Sequence, residues 1–148
     1  MTRIMRESRQ SHSIGKHVEV KSILVLDGDQ DSSWELKLSL EGSGYRVDWC
    51  NWPGNSQIAA SNLADFDLVI CDLDNGLGVW KLLLDWIRAQ RLDTQLVLTS
   101  RQAAEREWLE ALQLGVFDLL IKPYSRSEIL RVTGNALTMN YNSRFKTA

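Results

Sequence analysis

From residue 22 to about residue 137 the apolar positions alternate between two kinds of pattern. One kind is a short unbroken run: Ile23-Leu24-Val25-Leu26, then Asp67 to Asp72 with Leu68, Val69, Ile70 and Cys71 inside it, then Leu96-Val97-Leu98-Thr99, then Phe117 to Ile121. Runs this short, without polar alternation, predict strands buried on both faces, as in a parallel sheet. A fifth strand is predicted at Tyr45 to Cys50, where apolar and polar residues alternate. The second kind of pattern has helical spacing. Leu36 and Leu40 stand one turn apart after Asp31 or Ser32 as cap, and Leu83, Leu84 and Ile87 share a face. Trp108, Leu109, Ala111 and Leu112 are expected to form the packing face of a helix over about 102–114 that Gly115 ends. Pro53-Gly54-Asn55 turns the chain into a short helix over about 56–64, and Gly42 and Gly44 stop the first helix. Ser125 and Glu128 have capping-box spacing and open the last helix.

Five strands alternating with five helices require right-handed crossovers and parallel pairing, with helices on both faces of a doubly wound sheet. The 148 residues suffice for one such domain, and the sequence has no internal repeat. Residues 1–20 lack apolar periodicity and carry several basic side chains, so they read as a tail; residues 141–148 read as a second one, leaving 21–140 as the domain. His12 and His17 fall in the first tail without companion ligands. A net charge of −2 gives no reason to expect nucleic acid or an anionic membrane as partner, and no apolar run reaches the length of a membrane span. Two cysteines, one of them Cys71 in a buried run, suit reduced thiols acting as small apolar fillers in a cytoplasmic protein.

Candidate chemistry sits where the strands end. The first ends in Asp27, the third in Asp72, the fourth in Ser100, and the fifth runs into Lys122. In a doubly wound sheet these tips converge on one edge. Alone, Asp27 reads as a helix cap, Ser100 likewise, and Lys122 as a solvated charge. Together, two carboxylates, a hydroxyl and an ammonium make a site for a hard divalent cation and a phosphoryl group.

On these residues the chain resembles the receiver domains of bacterial two-component response regulators, over about Ser22 to Leu137. ILVLD (23–27) resembles the family's first strand with its acidic end, DLVICD (67–72) the strand carrying the phospho-accepting aspartate, and LGVFDLLIKPYS (114–125) its Gly-to-Lys-Pro segment. The 45-residue interval from Asp27 to Asp72 and the 22-residue interval from Ser100 to Lys122 match the family's, and the second selects Ser100 over Thr99. The resemblance implies a five-stranded (βα)5 flavodoxin-like α/β fold of strand order 2-1-3-4-5. It implies that Asp72 accepts a phosphoryl group from a histidine kinase or a histidine phosphotransfer protein. Mg²⁺ would be held by Asp27, Asp72 and Asp74, the last through its main-chain carbonyl. Lys122 would grip a phosphoryl oxygen, Ser100 would move to another, and a cis bond would precede Pro123. The output would pass through protein contacts to a downstream effector from a stand-alone receiver. Pairing of two copies through the last two helices and last strand is a habit of the family.

Several positions depart from the family pattern. The second acid of the first tip is Gly28, for which Asp29 or Asp74 could substitute. The loop after Asp72 has Gly76 and Val79-Trp80 where the family has proline and Asp-Gly. Arg101 follows Ser100 where a small residue is usual, so it could block the donor, or pair with Asp72 or the phosphate. Leu119 replaces the aromatic switch residue three positions before Lys122. Trp34 and Leu38 fall off the Leu36/Leu40 face, either as peripheral packing or as an apolar docking patch, and Trp80 is a second candidate contact. These departures support a rival reading, a phosphorylation-independent pseudo-receiver that acts as a binding module. A remoter reading is enzymatic. ILVLDGDQD also resembles the first motif of haloacid dehalogenase-type phosphatases, with Asp27 as nucleophile, Asp29 as general acid, and Thr99 or Ser100 and Lys122 as later motifs. That family needs a further acidic pair after the lysine, which this chain lacks.

Overall fold

A computed structural model describes residues 19–51, 63–74, 79–102 and 105–146. In chain order the elements are β1 (Ser22–Leu26), α1 (Gln30–Glu41), β2 (Arg46–Cys50), a 3-10 turn (Leu63–Asp65), β3 (Leu68–Asp72), α2 (Val79–Ala89), β4 (Gln95–Ser100), α3 (Glu105–Leu114), β5 (Asp118–Ile121) and α4 (Arg126–Lys146). Four α-helices are present among the described residues. Most of the helix expected over about 56–64 lies outside them, as do His12, His17, Gly76 and Gly78. The five strands form one parallel sheet of order β2-β1-β3-β4-β5, as expected. The final helix runs on to Lys146, past the boundary expected at residue 140.

The strand runs are apolar throughout because both faces of the sheet are covered. Successive side chains point to opposite faces, and the core divides accordingly. Ile23, Val25, Leu68, Ile70, Val97 and Leu120 pack with Leu36 and Leu40 of α1 and Ile129, Val132 and Ala136 of α4. Leu24, Leu26, Val69, Cys71, Leu96 and Leu98 pack on the other face with Trp80, Leu83, Leu84 and Ile87 of α2 and Ala111 of α3. Trp80 is 3 % exposed and belongs to that core, so it is not a surface contact. Its spacing explains this: residues 80, 83, 84 and 87 make a single inward stripe of α2.

The packing face expected for α3 is corrected too. Only Ala111 of that set is buried; Trp108, Leu109 and Leu112 are exposed. At 3.6 residues per turn, Leu112 and Leu109 stand about 100° and about 160° around the helix from Ala111, too far to share its face. Helix α1 starts earlier than its expected caps. Asp29, in an extended conformation, accepts from the amides of Asp31 and Ser32 and is the N-cap. Only half of the expected capping box opens α4: Ser125 Oγ accepts from the amide of Glu128 at 3.1 Å, while the Glu128 carboxylate pairs with Arg131.

Gly115 adopts φ 113° and donates to the carbonyls of Ala111 and Leu112, closing α3 as expected. A side chain there would both oppose this conformation and run into the Arg88 guanidinium. Gly115→Ala is therefore expected to lower unfolding stability by about 1–2 kcal/mol, read from the urea midpoint; an unchanged midpoint would contradict the role given to this turn.

Candidate functional site

The carboxyl ends of β1, β3, β4 and β5 bring Asp27, Asp72, Ser100 and Lys122 to one edge of the sheet, as the sequence predicts. All four are buried. The Lys122 ammonium lies 3.1 Å from Asp27 Oδ2 and 3.5 Å from Asp72 Oδ1. It is delivered by strand pairing: β5 runs beside β4, and the Lys122 amide donates to the Ser100 carbonyl at 2.8 Å. The Lys122–Pro123 bond is cis, as expected. Each carboxylate also receives a local amide. Asp29 N donates to Asp27 Oδ1 at 2.8 Å, and Asp74 N to Asp72 Oδ1 at 3.2 Å.

The electrostatics follow from burial. Loss of water pushes the Asp72 carboxyl above its ordinary pKa; the Lys122 ammonium pulls it back and the Asp27 carboxylate adds to the rise. Burial, with the charges of Asp72 and Asp27, raises the Cys71 thiol well above its usual range, so this thiol is inert. Burial likewise pushes the Tyr124 phenol up.

A second layer of groups lies on the loops. Ser100 Oγ donates to Asp74 Oδ1 at 2.7 Å, and the Arg101 amide donates to Asp74 Oδ2 at 2.7 Å. The Asp74 carboxylate is thus committed to the β4 tip. The Arg101 guanidinium pairs with Asp29 Oδ2 at 2.5 Å, not with Asp72 as the sequence suggested. Asp29 holds a lowered pKa, chiefly through the Ser32 hydroxyl. Both acids that could replace the one missing at Gly28 therefore have other partners. Trp49, exposed along one edge, donates its indole N–H to the Asp27 carbonyl at 3.0 Å and to Ser33 Oγ at 2.9 Å. Neither this contact nor the Arg101–Asp29 pair was anticipated. The only sequence signal for the pair is that Arg101 directly follows β4 and Asp29 lies three residues past the end of β1, the two strands flanking β3.

Residues 23–133 match the model of the response regulator receiver domain. The chain belongs to that family. It is 33% identical over 108 residues to the transcriptional regulatory protein QseB of Escherichia coli O157:H7, covering 72% of this chain and 48% of that protein. It is 34% identical over 116 residues to the two-component response regulator PprB of Pseudomonas aeruginosa, covering 74% of this chain and 41% of PprB. The chain thus spans about half the length of the curated relatives it matches. A CheY-like receiver domain protein from Methanospirillum hungatei superposes with a TM-score of 0.72 at 21% identity, over 84% of this receiver and 98% of that chain. That likeness concerns the fold. No described helix is long and apolar enough to cross a membrane.

Mg²⁺ takes oxygen ligands, and commonly one or two carboxylates with water and phosphate oxygens complete its shell. Asp27 and Asp72, on adjacent strands, fit that sparse demand. Among the described residues no group of three acidic, histidine or cysteine side chains is arranged to hold a metal ion. The Asp74 carboxylate, tied to Ser100 and Arg101, adds nothing to the pair.

A raised carboxyl pKa opposes folding wherever the group must ionise. The cost is absent below the unfolded-state value, near pH 4, and is full once the pH exceeds the raised folded-state value. In buffer free of divalent cations, Asp72→Asn is expected to raise the melting temperature by a few degrees at pH 8 and by less at pH 5. A lower melting temperature at pH 8 would contradict the assigned charge balance.

Proposed function

We propose that this receiver acts in a two-component phosphorelay, with Asp72 as the phosphoryl acceptor. The observation that carries the proposal is the Lys122 ammonium held between Asp27 and Asp72 at the strand tips, with Ser100 at the neighbouring tip. A carboxylate oxygen of Asp72 attacks the phosphorus of a phosphohistidine on a histidine kinase or histidine phosphotransfer protein. The new P–O bond forms as the P–N bond breaks, and the imidazole leaves with the bonding pair. Lys122, already beside Asp72, offers its charge to a phosphoryl oxygen. Ser100 Oγ, held by Asp74, must let go of that carboxylate to donate to a second one. Asp27 and Asp72 with the main-chain carbonyl of Asp74 would hold Mg²⁺, whose chemistry is to neutralise charge on the phosphoryl oxygens. Leu119 cannot supply an aromatic rotamer switch, so the rearrangement of Ser100 and its loop carries the signal to a downstream protein. Trp34 and Leu38, 59 % and 54 % exposed on α1, offer the phosphodonor an apolar contact beside the site.

A second reading has its own support. Gly28 supplies no carboxylate, and Asp72 is 2 % exposed, which suits a pseudo-receiver that binds partners without phosphorylation. The phosphatase reading is disfavoured by membership of the receiver family and by Asp29, which is occupied as a helix cap and as the partner of Arg101.

Incubation with Mg²⁺ and a small acyl-phosphate donor, followed by intact mass measurement, separates these readings. One added phosphoryl group, absent from Asp72→Ala and after chelation of Mg²⁺, is expected. No adduct on the wild type would favour the binding module. An adduct kept by Asp72→Ala and lost by Asp27→Ala would revive the phosphatase.

A further inference from the structure

A nucleophile that must meet a large donor is ordinarily open to solvent, yet Asp72 is 2 % exposed. The sheet order shows which loops flank it. Strands β1 and β4 are the two neighbours of β3, whose last residue is Asp72. Asp29 lies just beyond the β1 tip and Arg101 just beyond the β4 tip. The 2.5 Å pair between Arg101 and Asp29 therefore joins the loops that follow the strands on either side of β3. Two further bonds fasten the same strap from the side: Ser100 Oγ and the Arg101 amide both donate to the carboxylate of Asp74, which belongs to the loop leaving β3. The Asp29 end is fixed as well, since its carboxylate caps α1 through the amides of Asp31 and Ser32 and the Ser32 hydroxyl.

We infer that Arg101 is a positioning residue which, by bridging to Asp29 across the end of β3, straps the pocket shut over residue 72, so that reagents and phosphodonors reach that position only when the bridge opens. The meaning of this strap rests on the reading of Asp72 as acceptor, but its existence does not. The Arg101 side chain is 64 % exposed, so the bridge itself is a weak one, and it opens readily. Such a strap delays entry by a modest factor. It also keeps Asp29, an acid beside the gap left by Gly28, paired with a fixed cation while the strap is closed.

The test uses a thiol in place of the carboxylate and no phosphoryl donor, so it is independent of whether Asp72 is phosphorylated. In a Cys50→Ser background, Asp72→Cys is alkylated with neutral iodoacetamide; Cys71 is buried and silent. Adding Arg101→Met or Asp29→Asn is expected to speed labelling of residue 72 about two- to fivefold. Asparagine retains the capping oxygen, so helix α1 keeps its start. The two substitutions change the local charge in opposite senses, and acceleration by both therefore reports opening, not altered ionisation of the thiol. High salt should speed labelling of the strapped protein and leave the Arg101→Met protein unchanged. Acceleration by only one substitution, or by neither, would overturn the inference. Amide hydrogen exchange at Asp74 in the chain with native Asp72 gives a second reading, should the thiol variant not fold: it is expected to quicken with either substitution, and equal rates would overturn the strap.

Discussion

The ion pairing around Lys122 is the constraint on which the strand-tip edge of this receiver depends. An ammonium and two carboxylates, each buried, are tolerable only because they face one another. Removing water from such groups is expensive, and the chain offsets the cost with short contacts and main-chain donors. The amides of Asp29 and Asp74 reach Asp27 and Asp72, and the Lys122 amide is fixed to the Ser100 carbonyl. The site is not fully relaxed: Asp72 still carries a raised pKa because burial outweighs the pull of Lys122. A group in that condition gains from any further positive charge, which is the electrostatic basis for proposing a divalent cation and a phosphoryl group as its natural company.

The same edge is crossed by contacts of a different strength. The Lys122 contacts are dry and short-ranged, whereas the Arg101–Asp29 bridge stands largely in water. The first kind holds Lys122 against both carboxylates; the second, in the strap proposed above, limits how often residue 72 is reached. Gly28 belongs with this division, because the acid it lacks would have stood at the base of the bridge. With no carboxylate there, Asp29 is left to serve as helix cap and counterion to Arg101.

The fold was legible because the features that encode it are local. Unbroken apolar runs specify strands covered on both faces, and the alternating assignment of Ile23 and Leu24 to opposite cores follows from the pleat. The strand-tip residues were legible for the same reason: once the strands are located, their ends are too. What escaped the sequence depends on neighbours. Four apolar residues on α3 suggested a packing face, but it is Ala111, with Leu114, that packs on the core, and Trp108, Leu109 and Leu112 remain at the surface. Trp80 was read as part of the loop after Asp72, where the family has Asp-Gly, and it proved to be core. Arg101 and Asp29 are 72 residues apart, and no local pattern records that these two loops will meet.

Lys122 and Asp27 form a coupled buried unit on which the pocket rests. That coupling is measured by a double-mutant cycle of Asp27→Asn and Lys122→Met, followed by urea unfolding at neutral pH without divalent cations. Lys122→Met alone is predicted to cost about 3–5 kcal/mol, and the pair to depart from additivity by more than about 1 kcal/mol, because the methionine does less harm once the facing carboxylate is gone. Additivity to within about 0.5 kcal/mol would show that the two groups are not coupled.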